Sequence, residues 1–199
     1  MTRRYGGKTA DERRSERREK LLDAAVELFG TRGFAGTTIE MLCSAAHLNP
    51  RYFYEQFDTR EALLMAVYDR HVEVVLATVL GALEQAPDDL RGRLEAGLRA
   101  FVDGVLADER LARINYFEMV GVSRELEARR RDVLRGYADL IAAELARLPD
   151  GPRLSHPRLG AVALVGAVDG LVTEALASDL PADRERIVTT LLELLAPEN

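Results

Sequence analysis

The stretch AAHLNPRYFYEQF, residues 45–57, holds four of the chain's 12 aromatic side chains, Tyr52, Phe53, Tyr54 and Phe57, within six positions. Asn49 is a favoured N-cap, and Pro50 suits a first helical position, where its missing N–H has no intrahelical partner to lose. The spacing therefore predicts a short helix from Pro50. Phe53 and Phe57, four residues apart, share one face of it, while Arg51, Tyr52 and Glu55 point elsewhere. Such a helix is anchored on one side and displays cationic and aromatic groups on the other. The preceding segment TTIEMLCSAA (37–46) predicts a second short helix, with Ile39, Leu42, Cys43 and Ala46 on its apolar side. Either Thr37 (with Glu40) or Thr38 fits its N-cap. Two short helices joined by a tight turn describe a helix-turn-helix, whose second helix enters the major groove with its first residues at the base edges.

Charge supports a nucleic-acid-facing front end. The chain carries net charge −6, but residues 1–60 hold 11 basic against 9 acidic side chains, and the remainder 16 against 24. A small basic front thus precedes an acidic body. Hydrophobic residues make up 47% of the 199, with no Trp and few Phe, so Leu, Val and Ala must fill the core of an all-α protein. The single cysteine excludes an internal disulfide. The polar, charged N-terminus predicts no signal peptide, and the apolar run Leu159–Val168 reads as too short to span a bilayer. We expect a cytoplasmic protein that neither crosses a membrane nor needs a cofactor. The three histidines lack metal-ligand spacing, and no nucleotide-binding or nucleophile motif is present, so no enzyme activity is expected.

Along the chain, residues 1–8 read as a tail. TADE (9–12) matches a capping box, and Leu21, Ala25, Leu28 and Phe29 form one helical face that ends at Gly33. Beyond the opening stretch, the pattern predicts helices over 59–85, 89–107, 109–120, 123–148, 157–178 and 183–195, with breaks at APDD, VGVS, PDGPRLSHP and DLPADR.

Residues 18–63 resemble the tetracycline-repressor (TetR) family of bacterial regulators. The ordered features are the Ala-Ala and Leu-Phe of the first helix, Gly33-Phe34, Thr37-Thr38, Ala46, Leu48, Asn49, Tyr54, Phe57 and Leu63. His47 stands where the family usually has a turn glycine, Arg51 where it has Gly or Lys, and Tyr52 where it has a small Thr. The resemblance implies an all-α fold with a three-helix DNA-binding domain at 1–60 and a helical ligand-binding and dimerisation domain at 61–199. It implies DNA contacts by Thr37, Thr38, Asn49, Arg51, Tyr52, Tyr54 and Arg60, with help from Arg13, Arg14 and Arg17. The partners implied are a double-stranded operator, a small-molecule effector of unknown identity and a second copy of the chain.

In the body, HPRLGAVALVGAVDGLVTEALAS (156–178) is apolar nearly all round, so both faces should be buried, one of them against a partner. Leu159, Val162, Gly166, Gly170, Leu191 and Leu195 are the candidate dimer residues. Phe101, Tyr116, Phe117, Met119, Tyr137 and Asp169 are the candidates for lining an effector pocket. The expected function is a homodimeric repressor released from a pseudo-palindromic operator by its ligand. A corepressor-dependent regulator, an activator, a helical ligand-binding protein without specific DNA binding, and a module docking an acidic protein remain the alternatives.

Overall fold

The computed structural model describes residues 9–148, 155–178 and 183–195; the tail at 1–8 and most of the breaks at PDGPRLSHP and DLPADR lie outside them. Every regular element among these residues is helical. Helix α1 (Ala10–Arg32) opens on a complete capping box, in which Thr9 and Glu12 each accept the other's backbone N–H, and stops at Gly33, whose φ of 83° requires glycine. Helix α2 (Ile39–Ala45) is capped by Thr38, which accepts the Met41 N–H at 3.3 Å. Helix α3 (Pro50–Tyr54) is capped by Asn49, whose Oδ1 accepts the Arg51 N–H at 3.0 Å. Between them His47 takes φ 54°, a left-handed value that a histidine tolerates better than most residues.

Helix α4 (Arg60–Gln85), capped by Thr59, carries the chain from this unit into the body. There it packs against α5 (Leu90–Val105). The predicted single helix over 109–120 is instead α6 (Glu109–Arg113) followed by a π-helical turn, Ile114–Glu118, in which the Met119 N–H reaches back five residues to the Ile114 carbonyl at 3.0 Å. The wider turn lets Ile114 and Met119 enter one core while Tyr116 packs against the other. Helices α7 (Arg124–Arg147), α8 (Pro157–Ala177) and α9 (Arg184–Leu195) complete the body.

Two cores result. The first joins Phe29, Leu42, Phe53, Phe57, Leu63 and Leu64 to Ile114, Met119 and Leu126, so apolar packing runs across the expected boundary at residue 60. Met119, fully buried here, is therefore a core residue and not a pocket residue. The second core, between α4, α5, α8 and α9, contains Val79, Val102, Leu164, Val172 and Leu191. Leu191 is wholly buried inside its own protomer, which corrects its assignment to a dimer face. Cys43 is buried in the first core, and burial, with help from Glu40, pushes its thiol pKa up, as suits packing rather than redox chemistry.

Helices α1 and α6 touch through Gly30. A methyl group there would fall inside van der Waals contact of the Arg110 Cβ and 2.7 Å from its Cα, an obstruction that side-chain rotation cannot relieve. Gly30→Ala is expected to cost about 1–3 kcal/mol. That lowers Tm by roughly 2–12 °C, measurable by circular dichroism.

Candidate DNA-reading surface and effector cavity

Helix α3 is held by Phe53, fully buried, with Phe57 and Tyr54 ringed around it at centroid distances of 6.0 and 5.5 Å. Tyr54 itself is 59% exposed. Arg51 projects outward, its side chain 83% exposed, with an exposed contact of 3.2 Å to Glu55. Tyr52 is half-buried beneath the Arg17 guanidinium, 3.8 Å from the ring centroid. Arg17 also pairs with Glu55 at 3.6 Å, and Arg14 reaches the Glu55 carbonyl. These arginines therefore stand on α1 and brace α3, rather than belonging to an extended arm. Thr38 and Asn49 are exposed caps whose oxygens already accept backbone N–H groups.

Two expected contacts are corrected. Thr37 is fully buried, and its hydroxyl donates to the Gly33 carbonyl at 2.8 Å, so it cannot meet a phosphate. Arg60 turns inward: its guanidinium donates to the Phe34 carbonyl at 3.1 Å and to the Thr37 carbonyl, and lies over the Phe34 ring at 4.7 Å. It locks the α1–α2 turn to the start of α4. From the other side, Glu118 on the π turn accepts the Phe34 N–H at 2.7 Å while pairing with Arg113 at 3.2 Å. The peptide groups of Phe34 are thus gripped from two sides, by the start of α4 and by the π turn.

Inside the body an apolar cavity of about 120 Å³ lies between α4, α5, α7 and α8. Phe101, Tyr116, Tyr137 and Asp169 line it, together with Leu98, Leu134, Ile141 and Val168. Phe117 does not; it is 38% exposed on the outer side of the π turn. One end is bounded by a largely buried ion pair, Arg93 with Glu144. The other end adjoins a smaller polar recess that shares Phe101, Tyr116, Leu134, Tyr137 and Asp169 and adds Tyr68, His71, Asn115 and Arg130. There Arg130 donates to both Asp169 oxygens at 2.9 and 3.0 Å. Along α7, Arg130 to Glu144 spans about 21 Å at ~1.5 Å per residue. Arg129 reaches Asp69 at 2.7 Å, so two of the three consecutive arginines of α7 tie helices together rather than face water. Burial pushes all three tyrosine hydroxyls up, Tyr137 to about 12, so each stays protonated.

Burial also holds His71 below its ordinary pKa, with Asp108 opposing weakly. The folded imidazole stays neutral while the unfolded chain takes up a proton below about pH 6.5. The stability present above that pH is lost as pH falls toward the lower folded value. Between about pH 7.5 and 5.5 the wild type is expected to lose more Tm than His71→Gln, as differential scanning calorimetry would record.

On α8, Leu164, Val168 and Val172 face the second core, while Leu159, Val162, Gly166 and Gly170 lie exposed on the opposite side. The side chain of Leu195 lies outside the described residues, and its neighbour Leu194 is 70% exposed.

A family model for bacterial regulatory proteins of the tetR family matches residues 21–67, the span from the middle of α1 into α4. The HTH-type transcriptional activator FasR of Mycolicibacterium smegmatis is 28% identical over 175 residues, 88% of this chain and 79% of its own. The chain carries a tetR-family domain at residues 21–67. It is a DNA-binding transcriptional regulator with that family's all-α fold, an N-terminal helix-turn-helix and a helical body.

Among tetR-fold structures, a transcriptional regulator FadR from Bacillus subtilis, solved in complex with stearoyl-CoA, superposes with TM-score 0.78 at 19% identity, covering 91% of this chain and 99% of its own. AibR, solved in complex with isovaleryl coenzyme A and operator DNA, superposes at 0.72 with 20% identity, covering 92% and 100%. Sequence reasoning missed His71, Asn115 and Arg130 in the recess. His71 carried a usable signal: it is the polar member of an otherwise apolar stripe on α4, Leu64, Val67, Tyr68, Val75 and Val79.

Proposed function

We propose that this protein is a homodimeric, cytoplasmic regulator that acts by binding and not by catalysis, and that its effector is an acyl thioester. The observation that carries this reading is the cavity. Its long apolar arm suits an acyl chain, and its polar end abuts the π turn that holds Phe34. The complexes of FadR with stearoyl-CoA and of AibR with isovaleryl coenzyme A support the chemical class.

A cavity of about 150 Å³ takes only a benzene-sized guest. A long chain therefore enters this cavity, about 120 Å³, by parting its helices. The displacement passes to the helix-turn-helix through Arg60 at the start of α4 and Glu118 on the π turn. Residues 1–60 act as the reading unit, with Arg51 and Tyr52 at base edges and Thr38, Asn49 and Tyr54 on phosphates. Residues 61–199 act as sensor and dimer scaffold. The exposed apolar side of α8, through Leu159, Val162, Gly166 and Gly170, forms the dimer face, with Leu195 at the end of α9. Two-fold symmetry then demands a pseudo-palindromic operator with half-sites about 34–36 Å apart. A ligand that favours another spacing releases DNA by its differential affinity for the two states.

Selection from random duplexes at about 0.15 M salt tests the reading, because binding that survives such salt exceeds bare charge attraction. Enrichment of a palindrome, weakened by acyl-CoA, is the expected outcome. Enrichment of no sequence, with and without acyl-CoA, defeats it.

A further inference from the structure

Two polar side chains in the inner recess are more than nine-tenths buried and incompletely satisfied. His71 on α4 and Asn115 on the π turn are 7% and 8% exposed. Neither His71 Nε2 nor Asn115 Oδ1 has a hydrogen-bond partner among the described residues. Both residues line the recess, with Tyr116 as the wall it shares with the apolar arm. Buried polar atoms are nearly always paired, and each orphan left in place works against the fold.

The chemistry of the pair restricts what completes it. Asn115 Oδ1 only accepts, so its partner must donate. His71 Nε2 on a neutral imidazole donates in one tautomer and accepts in the other. An ester or thioester carbonyl accepts only, and would leave Asn115 unpaired. A carboxylate would bring a negative charge, and the cation of this recess, Arg130, is already paired with Asp169. A hydroxyl both donates and accepts, so its chemistry suits Asn115 Oδ1 and His71 Nε2 without adding charge.

We infer that His71 and Asn115 form a hydroxyl-recognising subsite, and that the effector is a hydroxylated acyl chain. The inference rests on the acyl reading of the cavity and narrows it. A plain chain fills the apolar arm but leaves both polar atoms unpaired. Recognition of this kind discriminates strongly, because the analogue lacking the hydroxyl strands the groups built to meet it. The placement of Asn115 also matters for the response. Its chain neighbour Ile114 and nearby Met119 sit in the core of the DNA-binding unit, and Glu118 on the same turn holds Phe34. A hydroxyl held at Asn115 pulls on that turn directly.

The test compares hexadecanoyl-CoA with its 2-hydroxy, 3-hydroxy and 16-hydroxy forms by calorimetric titration of the full chain. One hydroxy isomer is expected to bind at least tenfold tighter than the plain chain. Asn115→Leu, close in size, is expected to erase that advantage. The wild-type comparison stands even if the variant does not fold. If hexadecanoyl-CoA binds and no hydroxy isomer binds better, the subsite is refuted and the acyl reading survives. If neither the plain chain nor any hydroxy isomer binds, both fall. An advantage that persists in Asn115→Leu also refutes the subsite.

Discussion

Arg51→Ala is expected to weaken operator binding by about ten- to a hundredfold at ~0.15 M salt while leaving Tm within a degree or two of wild type. The size follows from the worth of a guanidinium in bidentate contact with a guanine edge, about 1–3 kcal/mol of discrimination. The stability half follows from the geometry. The Arg51 side chain is 83% exposed and, among the described residues, pairs with Glu55 alone, across an exposed contact of the kind worth roughly 0–1 kcal/mol. The loss should be specific: one position in each half-site should relax in a repeat of the selection. Tyr54→Phe, which removes only a hydroxyl, should instead weaken all sequences alike, by a fewfold, because a phosphate contact carries no sequence information. An Arg51→Ala protein that binds the same operator with unchanged affinity and specificity would remove α3 from the reading role.

The second large effect is expected at Glu118. This side chain is mostly buried and accepts the Phe34 N–H from a distance of 84 residues in sequence. Glu118→Ala leaves that N–H without its partner, costing about 1–3 kcal/mol of stability. The more telling consequence is functional. Allosteric coupling energies run about 1–3 kcal/mol, and of the two side chains that grip the Phe34 turn, Glu118 is the one that belongs to the body. DNA affinity without ligand should stay within about threefold of wild type, since Arg60 still holds the turn. The ratio of affinities with and without acyl-CoA should collapse from tenfold or more toward about twofold. Anisotropy titrations of labelled operator, with and without ligand, measure both numbers. A full ligand response in Glu118→Ala would mean that the signal travels by α4 or by the packing of α1 against α6.

The features legible in the sequence are those fixed by local chemistry. Thr9 with Glu12, Asn49 before Pro50, and the terminating Gly33 are set by orphan N–H groups and backbone sterics within a few residues, and the structure has each where the pattern puts it. His47, at the usual turn glycine, adopts the left-handed conformation that position demands. The choice between Thr37 and Thr38 was not local. Both suit an N-cap, and the carbonyls of Leu28 and Gly33, brought near by the fold, draw Thr37 inside. Arg60 misled for the same reason. A cation at a helix start reads as a phosphate contact until the turn presents the Phe34 and Thr37 carbonyls to it.

The body was less legible because periodicity tells that a face is buried but not against what. Met119 and Tyr116 belong to one aromatic-rich segment, yet the π turn sends them to different cores. Nothing in Ile-Asn-Tyr-Phe-Glu announces that turn; its register satisfies two packing surfaces at once. Leu191 matched the apolar pattern of a dimer helix and is consumed by its own protomer.

The central claim, that an acyl thioester in the body controls DNA binding at α3, is tested most directly by one titration. The selected operator is held at about 0.15 M salt with the purified protein, and its affinity is measured with and without saturating hexadecanoyl-CoA and its hydroxy forms. The account predicts an operator affinity at least tenfold weaker with ligand bound. Ligand bound at saturation with operator affinity unchanged would contradict it.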